Sequence, residues 1–282
     1  MKVENRTPFA AAWLVVLDKR GAEHLVVVLK ATYSIAENGT LAIAAKQDPI
    51  RPVDEFYGEP GLSSIRYEAE LGPAKVATDV VLVGNAVAPN GNTRRMEVSF
   101  RVGNLHKRVH VFGERKWKRF LWWHYRSSPQ AFERVALQYE NGFGGKDISP
   151  KNPKHHAQES RNPVGRGFRA KHSRLKRSGA LLPNIEGAKS VPQGFGFVGR
   201  DWQPRVAYVG TYDKKWREER LPLLPEDFDE RYHSGAHPDL IAGGFLRGDE
   251  TVEVRGCTRA GHLTFALPNV KPTADATLNK GP

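Results

Sequence analysis

Apolar and polar positions in the first third of the chain follow the two-residue period of strands. "AAWLVVLDKRGAEHLVVVLKATYSI" (11–35) holds two β-branched, apolar runs separated by "DKRGAEH", which predicts a hairpin turning near Gly21. Beyond the turn, Val27, Leu29, Ala31, Tyr33 and Ile35 are apolar, while the alternate set Val26, Val28, Lys30, Thr32 and Ser34 turns polar toward its end. That is the pattern of a half-buried antiparallel strand. "ENGT" (37–40) predicts a tight turn, with Asn38 and Gly39 suited to positive φ. "DVVLVGNAVAPNG" (79–91) predicts another strand, with Gly84 as a bulge or a point of close packing.

The clearest hairpin is "MEVSFRVGNLHKRVHVFG" (96–113). Met96, Val98, Phe100 and Val102 alternate up to Gly103-Asn104. On the return strand Leu105, Lys107, Val109 and Val111 share one face, and His106, Arg108, His110 and Phe112 share the other. "RKWKRFLWWHY" (115–125) reads as a strand with tryptophans inward and lysines outward, since rings default to the interior. Its alternative use is a basic, aromatic stacking surface for single-stranded nucleic acid.

From Pro129 to Pro204 the periodicity fades. Prolines at 129, 150, 153, 163, 183, 192 and 204 forbid a long helix, and glycines cluster at 142–145, 165–167 and 194–199. So long a segment without elements of its own is usually functional or mobile. Order returns with "RVAYVG" (205–210) as a strand, a short helix capped by Asp213 and ending at Glu219, a second short helix over Pro225 to Arg231, and two closing strands in "ETVEVRGC" (250–257) and "GHLTFALP" (261–268). The expected fold is mainly β (α+β), with sandwich-like antiparallel sheets, long ordered loops and a few short helices. Two intimate lobes are expected, an antiparallel β lobe over 1–127 and a loop-rich lobe over 128–282, packed as one unit.

Composition narrows the function classes. The 282 residues, 39% hydrophobic and 10% aromatic, suffice for a real core. The single cysteine, Cys257, excludes an intrachain disulfide framework or a Cys-based zinc site. Lys2 and Arg6 precede an apolar run from Phe9 to Leu17, but Glu4 breaks the n-region and Asp18-Lys19-Arg20 stands where a small-residue cleavage site belongs. A cytoplasmic location is therefore expected. With no run of about 20 apolar residues, no membrane partner is expected. The net charge of +12 is uneven: residues 151–177 hold nine Lys and Arg against Glu159 alone. Such a patch either keeps a loop solvated or attracts a polyanion.

Motif chemistry points away from catalysis. Gly145-Lys146 is followed by Asp147, not by Ser or Thr, and Glu140 stands where a P-loop needs its first glycine. His155, His156 and Glu159 lack metal-ligand spacing on a shared helical face, so no metal is expected. Ser63 and Ser64 sit in no nucleophile elbow. Glu55, Glu59, Glu68 and Glu70 could pair as glycosidase carboxylates, but Glu68 and Glu70 better fit the polar face of a strand. No enzyme activity and no cofactor are expected.

Eight stretches in order carry a family likeness: "VENRTPFAAAW" (3–13), "YGEPGLSSIRYEAEL" (57–71), "KVATDVVLVGNAVAP" (75–89), "VFGERKW" (111–117), "QYENGFGG" (138–145), "NPVGRGF" (162–168), "LLPNIE" (181–186) and "GTYDKKWREERLPLLPEDFDERYH" (210–233). The chain resembles a bacterial family, long catalogued as a domain of unknown function, encoded beside type VI secretion spikes and effectors. Gly142 stands where that family's glycine motif has alanine. The family pattern also continues past "FALPNVKP" with a closing hairpin, so an open sheet edge is expected here. The resemblance implies a non-catalytic adaptor or effector chaperone that binds a toxic effector, often with a PAAR-type domain, and helps load it on the VgrG spike. On that reading the Gly/Pro-rich loop meets the partner, with Tyr139, Phe143 and Phe168 as anchors and Arg161, Arg166, Arg169, Lys171 and Arg174 steering an acidic face. The alternative is a single-stranded nucleic-acid binder using 115–125 and 151–177.

Overall fold

The computed structural model describes residues 4–148, 152–170, 178–187, 191–273 and 275. Among them the chain is mainly antiparallel β: one five-stranded sheet, seven two-stranded pairings and a single six-residue α-helix. The central sheet runs in the order Ile185–Glu186, Leu105–Phe112, Arg95–Val102, Thr251–Arg255, His262–Ala266, each neighbour antiparallel. Val102 pairs with Leu105 across Gly103-Asn104, and Gly103 takes φ +54 at the first central position, where a type II′ turn favours glycine.

One face of this sheet is dry. Val98, Phe100, Val102, Val109, Val111, Ile185, Val252 and Val254 form one buried cluster with Ala86, Val135, Leu137, Phe195, Ala236 and Leu240. Each fully buried side chain of this size contributes about 1.5–3 kcal/mol. The opposite face carries Glu97, Ser99, Arg101, His106 and Arg108 around a shallow polar depression of about 200 Å³. One wet and one dry face is what the alternation specifies. The sheet and its buried cluster draw on residues from both sides of residue 127.

The N-terminal ribbon, Ala10–Leu17 with Glu23–Lys30, forms a separate two-stranded sheet. A second small hairpin, Tyr33–Ile35 with Leu41–Ile43, turns at the expected place, with Gly39 at φ +83. Asp213 caps the helix Lys214–Glu219 as expected, its Oδ1 accepting from Trp216 N at 2.8 Å.

Three segments differ from expectation. "RVAYVG" forms a 3-10 turn, Arg205–Tyr208, because Val206 N and Ala207 N bond to the nearby carbonyls of Trp202 and Pro204 and not to a neighbouring strand. The second helix is replaced by a turn closed by Phe228 N on Pro225 O and a 3-10 helix, Glu230–His233, that starts only after Asp229. Asp229 is extended, and its side chain accepts from Arg231 N. In "DVVLV" the backbone donors of Val80 and Leu82 go to Leu240 O and Phe195 O, leaving a strand only at Asn85–Val87. No helix among the described residues is long and apolar enough to cross a membrane.

Candidate functional site: a locked loop and two exposed apolar surfaces

The glycine-rich stretch that looked like an adaptable loop is built as an interlock. Phe143–Gly144 pairs in parallel with Arg166–Gly167, and Asn162 lies fully buried between them. Its Nδ2 donates to Tyr139 O at 2.8 Å and to Phe143 O at 3.0 Å, while its carbonyl accepts from Gly145 N at 2.8 Å. Gly144 and Gly145 take φ of +153 and +108. A Cβ on Gly144 would run into Asn162 O, and one on Gly145 would lie 2.5 Å from Gly165 O. The glycines are there because two backbones approach within reach of one asparagine.

Burial reassigns the expected anchors. Tyr139 is 2% exposed, its ring edge-on to Trp202 with centroids 5.5 Å apart. It serves the interior and offers no surface to a partner. Phe143 and Phe168 are half-buried. Arg166 turns inward: its Nε donates to Glu140 O at 2.8 Å and its Nη1 to Asn184 Oδ1 at 3.1 Å. Arg161 is exposed but held by Glu159, Nε to Oε1 2.8 Å, and half-buried Arg169 donates to Phe168 O. Lys171 and Arg174 lie outside the described residues, as do parts of the basic segment 151–177.

Among the candidate catalytic groups Glu55 and Glu59 are exposed, while Glu68 and Ser64 serve the interior. Glu68 does not line a wet strand face. It is 5% exposed, with Oε1 2.7 Å from Arg205 Nη1 and 3.3 Å from Arg200 Nη2, and Oε2 3.3 Å from Lys75 Nζ. Arg200 also grips Asp54 with two bonds, and Lys75 reaches Asp79. Three carboxylates thus balance three cations. Glu70 pairs separately with Lys30 at 2.7 Å. Ser64 is buried, its Oγ donating to Glu140 Oε2 at 2.7 Å, and Ser63 Oγ closes a turn on Glu59 O.

Lys107, on the dry face of the central sheet, ends at Gln193 Oε1 (2.8 Å) and Asp239 Oδ2 (2.9 Å), beside the His237 ring (3.1 Å). Burial, reinforced by the Lys107 charge, pulls His237 down to about 4, so the ring is neutral. Burial pushes the Asp239 carboxyl up, but the hydrogen bond and charge of Lys107 outweigh it and hold it below its usual value. Among the described residues no group of three His, Cys, Asp or Glu could hold a metal ion.

Among the described residues, two exposed surfaces are apolar. Across the N-terminal ribbon Trp13 pairs with Val27 and Val15 with Leu25. These four and Leu17 share the outward face and are 41–52% exposed. Leu14, Val16, Val26 and Val28 on the opposite face are only partly buried. The ribbon has two strands, so each keeps one unpaired edge among the described residues. The signal was in the sequence: "WLVVL" and "LVVVL" are apolar on both faces, a pattern that asks for cover on both sides.

The second surface is the hairpin Trp117–Phe120 with Trp123–Arg126. Its base is tied to 179–181 by Trp117 N to Ala180 O and Gly179 N to Trp117 O. No described residue covers its apex: Phe120, Leu121, Trp122 and Trp123 are 61–72% exposed. The inward placement of tryptophans therefore holds only for half-buried Trp117, over which Arg126 lies at 5.7 Å. Pairing leaves Trp122 in the turn and Trp123 on the face opposite Trp117. A cavity of about 500 Å³ opens beside the base, lined by Arg94, Glu114, Lys116, Lys118 and Ser127 among others.

These features define a mainly antiparallel β protein with a polar-locked interior and apolar ribbons facing outward. The chain belongs to the bacterial family described as "Uncharacterized protein conserved in bacteria (DUF2169)", whose model matches residues 20–281. No curated protein and no solved structure matches it.

Proposed function

We propose that this protein is a non-catalytic adaptor that holds a second polypeptide, and that the polypeptide is a type VI secretion effector, often PAAR-containing, to be stabilised and loaded on the VgrG spike. The observation that carries the adaptor reading is the outward ribbon face of Trp13, Val15, Leu17, Leu25 and Val27. A contiguous apolar strip whose strand edges are unpaired among the described residues favours addition of a partner strand: its backbone supplies hydrogen bonds and its alternate side chains meet the strip. The effector assignment rests on the eight ordered motifs. Held effector is stabilised by mass action, by about 2.7 kcal/mol when free adaptor stands at about 100 times its dissociation constant.

The test is co-expression with the effector encoded beside the gene. Stoichiometric co-purification that is lost in Val15→Ser/Leu25→Ser supports the reading. An effector that is soluble and stable alone and never associates with this chain overturns it.

A further inference from the structure

We propose that the aromatic hairpin is an interfacial anchor that inserts its apex into an anionic lipid surface. The turn itself is the first observation. Leu121 holds φ +51, a conformation most turns give to glycine or asparagine, and Trp122 follows it. Ordinary turn chemistry has been given up to place apolar side chains at the outermost point of the hairpin. The second is charge: no Asp or Glu occurs from Arg115 to Phe132, and Arg119 and Lys118 stand in the two rows behind the apex, with Arg126 further back at the base. The third is depth. The turn and the Phe120–Trp123 row beneath it reach roughly 7 Å at about 3.3 Å per residue. That matches the ~5–10 Å to which interfacial segments sink, with the cations left at phosphate level and tryptophan at the depth it favours. Such an anchor needs no membrane-crossing helix.

A single nucleic-acid strand fits these residues less well. Phe120, Trp123 and Tyr125 share one face with Lys118 and could stack bases. Leu121 and Trp122, in the turn, would add nothing to that platform.

The experiment uses the full chain and two vesicle types, phosphatidylcholine alone and phosphatidylcholine with phosphatidylglycerol, free of any effector. Sedimentation with the anionic vesicles is expected, with brominated lipid quenching tryptophan emission. Phe120→Ser/Trp122→Ser/Trp123→Ser should weaken binding at least tenfold and abolish the quenching, with the thermal midpoint unchanged. Lys118→Gln should weaken binding on the order of fivefold on anionic vesicles only. Absence of vesicle binding overturns the proposal, as does binding that survives the triple substitution. So does tight, salt-sensitive binding of a single-stranded oligonucleotide by a chain that ignores vesicles.

Discussion

Glu68 Oε1 lies 2.7 Å from Arg205 Nη1, with the two side chains 5% and 2% exposed, and the pair joins segments 137 residues apart in sequence (205 − 68). Arg205 also donates to Val198 O and Tyr232 O, so one buried guanidinium ties Glu68 to the segments before and after it. Gly235 closes the arrangement: a Cβ there would lie 2.6 Å from Glu68 Oε2. Removing one partner strands the other in a dry site. Glu68→Gln is expected to cost about 3–5 kcal/mol in urea unfolding. Glu68→Leu/Arg205→Met, which removes both charges, should cost less than Glu68→Leu alone.

The glycine interlock makes a sharper contrast. Gly144→Ala is expected to destabilise by roughly 3 kcal/mol or more, through its φ and the collision with Asn162 O. Gly196→Ala is the control, since a Cβ there meets nothing within 4 Å and φ is ordinary. It should stay within about 0.5 kcal/mol. Equal losses in the two variants would refute the interlock.

Stability should fall with acid in a window set by His237. The ordinary value is 6.5 and the folded value about 4. Between them the unfolded chain binds the proton and the folded chain does not. Stability is therefore fully present above about pH 6.5, declines as pH drops toward 4, and levels off below. The full difference is on the order of 3 kcal/mol. His233, pushed down by its burial, adds slope in the same direction, while Asp239, held low, adds its loss only below the ordinary carboxylate range. His237→Asn should therefore flatten the decline in urea midpoint between pH 7 and 4.5 without abolishing it. An unchanged slope would show that the ring is not held neutral.

The outward ribbon face should be dispensable for folding. Val15 and Leu25 are 52% and 45% exposed, so Val15→Ser/Leu25→Ser removes little burial. A shift within about 1 kcal/mol is expected by thermal or urea unfolding. A loss of several kcal/mol would mean that the face is part of the core.

Most of the scaffold was legible in the residues. The period of two from Met96 to Val111 specified both the hairpin and its dry face, and Gly103 marked the turn. Asp213 marked the helix start. The rest depended on long-range partners that periodicity does not carry. Glu68 reads as a surface residue until Arg200, Arg205 and Gly235 are brought around it. Asn162 gave no signal beyond its place in "RNPVGRG", although its side chain holds two carbonyls of the 139–143 segment. Tyr139 and Arg166, read as contact residues, were drawn inward by the same interlock. Conversely, the rings of "RFLWW" looked like core because rings usually are, but no element among the described residues covers them, and four consecutive apolar side chains face solvent.

The most direct test of the adaptor account is calorimetric titration of the purified chain with a candidate effector of the proposed type VI class. Wild type should bind one to one, and Val15→Ser/Leu25→Ser should bind at least tenfold more weakly, about 1.4 kcal/mol, with its fold intact. No heat of binding with the wild type, or equal affinity in the two proteins, would contradict it.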